Sequence, residues 1–221
     1  MEAVTVTQVS PRNLMYTYNL GPWNLNLHLI LGEHRSYVVD TGLGSETVAP
    51  ILKELESRDK PVVVINTHFH WDHIWGNFCF PDSPVISHVL CREQADNLWD
   101  EMLQKNGGYI RGEVQKRLPD LVFTDSLSFP DDGIRLFYTP GHTVDGISVY
   151  DERDRVLNAG DNIGDEPDDI VPGLNEPEAV YRKTLEQYMA LDVAACISGH
   201  NAVQGGDIFR RILAELDKAT E

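Results

Sequence analysis

The sequence predicts an α/β fold, and three stretches carry that prediction. Asn24-Leu25-Asn26-Leu27-His28-Leu29-Ile30-Leu31 puts Leu25, Leu27, Leu29 and Leu31 on one face, the period of two expected of a half-buried strand. Val48, Ile51, Leu52 and Leu55 recur at helical spacing, which predicts an amphipathic helix over 45–57. Pro61-Val62-Val63-Val64-Ile65-Asn66 is a continuous β-branched run, the pattern of a strand covered on both faces.

The remaining elements follow in order. The first forty residues alternate strand-like runs with turns; Gly32-Glu33-His34 turns the chain into Ser36-Tyr37-Val38-Val39-Asp40, and Thr41-Gly42-Leu43-Gly44 ends that strand. A short strand is expected at 84–89, then a charged helical stretch over 90–118 interrupted by Asn106-Gly107-Gly108. Short strands are expected at 121–123, 127–129, 134–138, 147–150 and 154–158. A helix over 176–190, a buried strand at 193–198 and a helix over 206–219 complete the pattern. No Ser-, Gly- or Pro-rich linker divides the chain, so residues 1–221 read as one domain, and 42% hydrophobic content suits a sizeable core.

Composition narrows the function classes. Asp and Glu total 35 against 18 Lys and Arg, a formal charge of −17. Such a surface repels polyanions over about a Debye length, and no Lys/Arg cluster offers the basic face that nucleic acid requires. No apolar run reaches the roughly 18 residues of a membrane span, and no basic stretch followed by an apolar segment marks a signal peptide. Cys79, Cys91 and Cys196 are odd in number and lack CxxC spacing. They read as small hydrophobes in a reducing cytoplasm. The expected partner is a small-molecule substrate, with self-association into a homo-oligomer left open.

The chemistry gathers in Thr67-His68-Phe69-His70-Trp71-Asp72-His73, at the C-terminal end of the β-branched strand. His68, His70, Asp72 and His73 are imidazole and carboxylate donors of the kind zinc and its first-row neighbours prefer. Burying so many without a cation would be expensive. Three more candidates share one setting, a strand end beside a small residue: His142 in Pro140-Gly141-His142-Thr143, Asp161 in Gly160-Asp161, and His200 in Ser198-Gly199-His200. His28, His34 and His88 belong to no such cluster and read as structural, His28 being the one with a chance of reaching the pocket. The acidic run Asp165-Glu166-Pro167-Asp168-Asp169 reads most simply as a solvated loop, though its closeness to Asp161 admits a lid role. Trp23, Trp71, Trp75 and Tyr109 are candidate apolar walls of a substrate pocket, whereas Trp99 at helical spacing reads as packing.

Taken together, Val39-Asp40-Thr41-Gly42, the HxHxDH element, Pro140-Gly141-His142-Thr143, Gly160-Asp161 and Gly199-His200 resemble, in order and over nearly the whole chain, the metallo-β-lactamase-fold hydrolase superfamily. The resemblance implies a four-layer αβ/βα sandwich, two mixed sheets face to face with helices outside. It implies two divalent metal ions, zinc first and iron or manganese as substitutes. His68, His70 and His142 would hold the first, Asp72, His73 and His200 the second, and Asp161 would bridge them. Asp40 would support the cluster from behind. Asp161 stands where one β-lactamase class has a cysteine, and His70 where flavodiiron relatives have a glutamate. Glyoxalase II enzymes are similar in all seven donors, but only 21 residues follow His200 where they carry a helical domain. The tRNA-processing nucleases need a basic exosite that this acidic chain does not offer.

The function so implied is a dinuclear hydrolase of a small ester, thioester, lactone or amide. Its nucleophile would be a hydroxide bridging ions roughly 3.5–4 Å apart, with Asp72 both donor and orienter of that nucleophile. No GxSxG elbow supplies a serine instead. The alternatives are a mononuclear iron oxygenase similar to persulfide dioxygenases, using His68, His142 and Asp161; phosphodiesterase or β-lactamase activity on the same fold; and a metal-stabilised binding protein.

Overall fold

The computed structural model describes residues 4–219. One sheet has seven strands in chain order: β1 (Thr5–Ser10), β2 (Asn13–Asn19), β3 (Asn24–Leu31), β4 (Ser36–Val39), β5 (Val62–Ile65), β6 (Val85–His88) and β7 (Leu121–Phe123). It is antiparallel from β1 to β4 and parallel from β4 to β7. The other has five: β8 (Ser126–Phe129), β9 (Ile134–Tyr138), β10 (Ile147–Asp151), β11 (Val156–Asn158) and β12 (Ala195–Ile197), of which only β11 and β12 run parallel. The helices are α1 (Ser45–Leu55), α2 (Trp71–Ile74), α3 (Val89–Asn106), α4 (Glu178–Met189) and α5 (Ile208–Ala219).

The period of two along each strand sorts the side chains into layers. Tyr37, Val39, Val63 and Ile65 meet Leu136, Ile147 and Val149 between the sheets. Their alternates, Val38 and Val64, pack with Leu27 and Leu29 against Val48, Ile51 and Leu55 of α1. Leu157 and Cys196 of the second sheet pack against Tyr181 and Leu185 of α4 and Ile212 of α5. The result is helix, sheet, sheet, helix, the four-layer αβ/βα sandwich.

Two expectations change. β3 is not half-exposed: residues 25 to 30 are all buried. Its polar face turns toward the second sheet, where Asn26 Nδ2 donates to the carbonyls of Ser198 and Asn201, and His28 pairs with Asn13. Polar residues at alternate positions here mark a paired interior face and not a wet one. The helix expected over 90–118 ends at Asn106. After a 3₁₀ turn at Gly107–Tyr109 the chain is irregular, because Arg111 N–H donates to Leu43 O and Glu113 O accepts from Ser45 N–H. Those bonds to the start of α1 take up backbone groups that a helix would need.

Parallel pairing sets the site's position. β4 and β5 end side by side, as do β11 and β12, and Ile147 N–H donates to Thr67 O to tie the two sheets together there. Every candidate donor therefore emerges at one edge of the sandwich.

Candidate metal centre

The seven donors expected from the sequence are brought together from five places. His68 and His70 lie in the segment after β5, Asp72 and His73 in α2, and His142 in the β9–β10 connection; Asp161 and His200 follow β11 and β12. They form two groups whose ligating atoms lie within 4.8 Å of one another: His68, His70, His142 and Asp161, then Asp72, His73 and His200. In the first, His68 Nε2 is 3.0 Å and His142 Nε2 3.2 Å from His70 Nδ1. In the second, Asp72 Oδ2 is 3.8 Å from His73 Nε2 and 3.5 Å from His200 Nε2. Asp161 Oδ2 faces both: 3.5 Å from His68, 3.7 Å from His142, 3.3 Å from His73 and 3.2 Å from His200.

Hydrogen bonds behind the rings set which nitrogen faces inward. His142 Nδ1 and His200 Nδ1 each lie on a backbone carbonyl, Gly173 O at 2.8 Å and Asn24 O at 2.7 Å, so each donates there and leaves Nε2 bare. His73 Nδ1 donates to Asp40 Oδ2 at 2.8 Å. Asp40 also accepts from Thr67 N–H and Thr67 Oγ1, both at 2.7 Å, and the hydroxyl so oriented accepts from His68 Nδ1. Asp40 holds this position at φ 62°, the left-handed region that a non-glycine residue enters only when its surroundings enforce it. Gly199 serves the same packing, since a Cβ there would lie 2.1 Å from Asp161 Oδ1 and 2.8 Å from His73 Cε1.

The arrangement fits divalent cations. Tetrahedral coordination at roughly 2.0–2.2 Å sets neighbouring donor atoms about 3.3–3.6 Å apart, and the spacings here, 3.0 to 3.8 Å, bracket that range. His73 Nε2 and Asp161 Oδ1 are buried and make no hydrogen bond, an expensive state for groups turned to no ligand. Electrostatics agrees. Burial and then the charge of His73 push His68 well below its ordinary value, and burial, then His142, pushes His70 down to about 4. Burial also opposes charge on His73 and His200, yet the neighbouring carboxylates together outweigh it, Asp161 with Asp40 and Asp72 holding His73 well above its ordinary value and Asp161 with Asp72 holding His200 up at about 9. Burial alone would raise Asp161; the charges of His73, His200 and His68 keep it well below the usual carboxylate range. Protons and metal cations thus compete for the same nitrogens.

Asp72, His142 and His200 line the floor of a cavity of about 670 Å³. Trp23, Trp71 and Tyr109 form one wall of it. Trp75 does not line it: one turn on from Trp71 and 5.2 Å from its ring, it lies beneath that ring, fully buried, and packs with Ala95, Trp99 and Met102. The acidic segment is exposed, as a solvated loop should be, and Asp165, Glu166 and Asp169 also line the cavity. His28 is buried against Asn13 and Asn158 instead of reaching the cavity, and His88 caps α3 through Leu90 N–H. Thr67 and the carbonyls of Asn24 and Gly173 were not singled out by sequence. A threonine beside the histidine cluster is a weak signal, and a backbone carbonyl leaves none.

A family model described as the metallo-beta-lactamase superfamily matches residues 20–200. Acyl-coenzyme A thioesterase MBLAC2 of Bos taurus is 26% identical over 164 residues, 63% of this chain and 58% of the bovine one. Beta-lactamase-like protein 2 homolog of Caenorhabditis elegans is 25% identical over 219 residues, covering 92% of this chain and 64% of its own. The chain therefore spans about three-fifths of the length of these curated relatives. Among solved structures, TMB-1 superposes with a TM-score of 0.76 at 14% identity over the whole of both chains. A metallo-beta-lactamase from Hirschia baltica does so with 0.76 at 18% identity, over 96% of this chain and 97% of its own. At these identities the likeness is one of fold.

Proposed function

The chain belongs to the metallo-beta-lactamase superfamily, and from that membership we propose that it is a dinuclear metal-dependent hydrolase of a small ester, thioester, lactone or amide. The observation that carries the reading is Asp161, one carboxylate oxygen within 3.7 Å of a donor nitrogen on four histidines drawn from both groups. His68, His70 and His142 would hold one ion, Asp72, His73 and His200 the other, and Asp161 both. Zinc suits this nitrogen- and oxygen-rich set, with iron or manganese as substitutes. The bovine relative is named as an acyl-coenzyme A thioesterase, which supports an acyl substrate class. The three free thiols support a reducing compartment such as the cytoplasm.

Divalent ions held there would acidify a water and polarise the scissile carbonyl. The chain's own groups do the rest. Asp40 and Thr67 lock the tautomers of His73 and His68, so that Nε2 of each stays turned inward. Asp72 carries its Oδ2 on the cavity floor, where it accepts a hydrogen bond from water and orients its oxygen toward an acyl carbon above. In the net reaction the water oxygen bonds the acyl carbon, the acyl–heteroatom bond breaks, and the water proton passes to the leaving heteroatom.

Metal analysis of the purified protein tests the reading. We expect about two divalent ions per chain, with hydrolysis of a phenyl ester or thioester abolished by chelation and restored by zinc. A single iron per chain with oxygen uptake would assign the oxygenase alternative, and turnover confined to phosphodiesters or β-lactams would move the substrate class.

A further inference from the structure

The two walls of the cavity above this centre are chemically opposite, and neither is explained by hydrolysis as such. Trp23 stands edge-on to Trp71 at 6.0 Å and to His200 at 5.2 Å, and Tyr109 closes against Trp71 at 5.1 Å. The rings thus make one continuous surface from the mouth down to a donor of the centre. Lining the same cavity is a turn closed by Gly164 N–H on Ile170 O and pinned by the buried Asn201, whose Nδ2 donates to Gly164 O and Glu166 O. The pinning fixes Asp165, Glu166 and Asp169 at the opening.

These carboxylates differ from the paired acidic groups of the surface. Glu54, Glu101, Glu178 and Glu215 each pair with a lysine or arginine. Among the described residues no salt bridge or side-chain hydrogen bond engages Asp165, Glu166 or Asp169, and no lysine or arginine lines the cavity. With Asp168, four like charges within the five residues 165–169 repel one another. Trp23, Trp71 and Tyr109 line the same space, and aromatic rings attract a cation over their faces.

Resting on the hydrolase reading, we propose that the cavity selects acyl substrates whose apolar body carries a cationic ammonium group, seated between Trp23, Trp71 and Tyr109 on one side and Asp165, Glu166 and Asp169 on the other. The scissile carbonyl then reaches the floor at Asp72 and His200. The same walls discriminate against polyanionic thioesters, including those of coenzyme A, and against substrates bearing a carboxylate.

The test compares three thioacetates of similar size on the metal-loaded protein: acetylthiocholine, its neutral 3,3-dimethylbutyl isostere and the 2-sulfoethyl ester. We expect kcat/KM for the cation to exceed the neutral isostere by about tenfold and the anion by about a hundredfold, shrinking as salt is raised. In Asp165→Asn/Glu166→Gln/Asp169→Asn the cation-to-anion ratio falls at least tenfold, a readout independent of any general loss of rate. Equal turnover of all three overturns the proposal and leaves the hydrolase reading intact. Should none turn over while phenyl acetate does not either, the hydrolase reading fails. The cavity's preference is then still decided by binding: phenyltrimethylammonium should quench tryptophan fluorescence at concentrations where benzenesulfonate does not, and equal quenching overturns it.

Discussion

The protein contains two buried polar clusters, each drawing on both sheets and each containing histidine, and they differ in one respect. In the first, Arg12 pairs with Asp151 in a bidentate contact, Asn13 Nδ2 donates to Asp151 Oδ2, and His28 Nε2 lies 2.8 Å from Asn13 Oδ1 with Asn158 on its other nitrogen. Every member has a partner inside the protein. In the second, the seven donors around Asp161 are braced from behind by Asp40, Thr67 and two carbonyls, yet His73 Nε2 and Asp161 Oδ1 make no hydrogen bond. Burial and residue type do not separate a structural histidine from one built to take a ligand. What marks the second cluster is that its donor atoms converge on one another and on Asp161.

The sharpest way to break the comparison is to remove the residue shared by both donor groups. Asp161→Ala should lower bound metal from about two ions per chain and reduce hydrolysis about a thousandfold or more, the equivalent of about 4 kcal/mol of barrier. Metal analysis on folded protein and steady-state rates check it; full activity with the metal gone would refute the assignment. The opposite cluster should answer differently. Asp151→Ala leaves Arg12 and Asn13 facing each other without their acceptor, and we expect roughly 3–5 kcal/mol lost from unfolding in denaturant, because removing one partner strands a buried charge. Metal content of the folded fraction should not change.

A smaller effect tests the bracing. Asp40→Asn preserves shape but removes the charge that accepts from His73 Nδ1 and from Thr67. Groups behind a ligand are worth about 10–100-fold in affinity, so the second ion should dissociate at correspondingly lower chelator concentrations while the first is held more nearly as before. Equal weakening of both ions would mean that Asp40 acts through Thr67 and His68 as strongly as through His73.

How much of this was legible in the sequence follows the same division. The β-branched run at 62–65, the helical spacing at 48–55 and the histidine cluster at its strand end are local patterns, and each appears in its expected place. The grouping of His142, Asp161 and His200 with that cluster needed the ordered resemblance, since no spacing within one chain shows that four strand ends share an edge. What escaped was decided by long-range packing. β3 reads as half-wet because Asn26 and His28 alternate with leucines, and only the second sheet shows that this face is dry and paired. Trp71 and Trp75 look equivalent beside the donors and do stack on one another, but Trp71 covers Trp75, so one ring meets the cavity and the other only the core. The acidic turn reads as solvated and is exposed, but nothing local reveals that Asn201 pins it beside the cavity.

The least perturbing contrast is titration of the paired cluster itself. Burial drives His28 down to about 3, and the charge of Asp151 only partly offsets it. In the unfolded chain the same ring titrates at the ordinary histidine value of about 6.5. Between these values the unfolded state binds a proton that the native state refuses, so stability is full above about pH 6.5 and is lost as pH falls toward 3. One such group contributes at most about 1.4 kcal/mol per pH unit across that window. His28→Gln keeps a side chain able to pair with Asn13 but removes the titration. The variant should start less stable near neutrality, then lose less with acidification, so that its curve and that of the unmodified protein converge as pH falls. Denaturant unfolding on metal-loaded protein at half-unit pH steps measures the difference. Metal release from the other cluster contributes equally to both curves and cancels, so parallel curves would mean that His28 is protonated in the native state and that its cluster is not the closed, satisfied one.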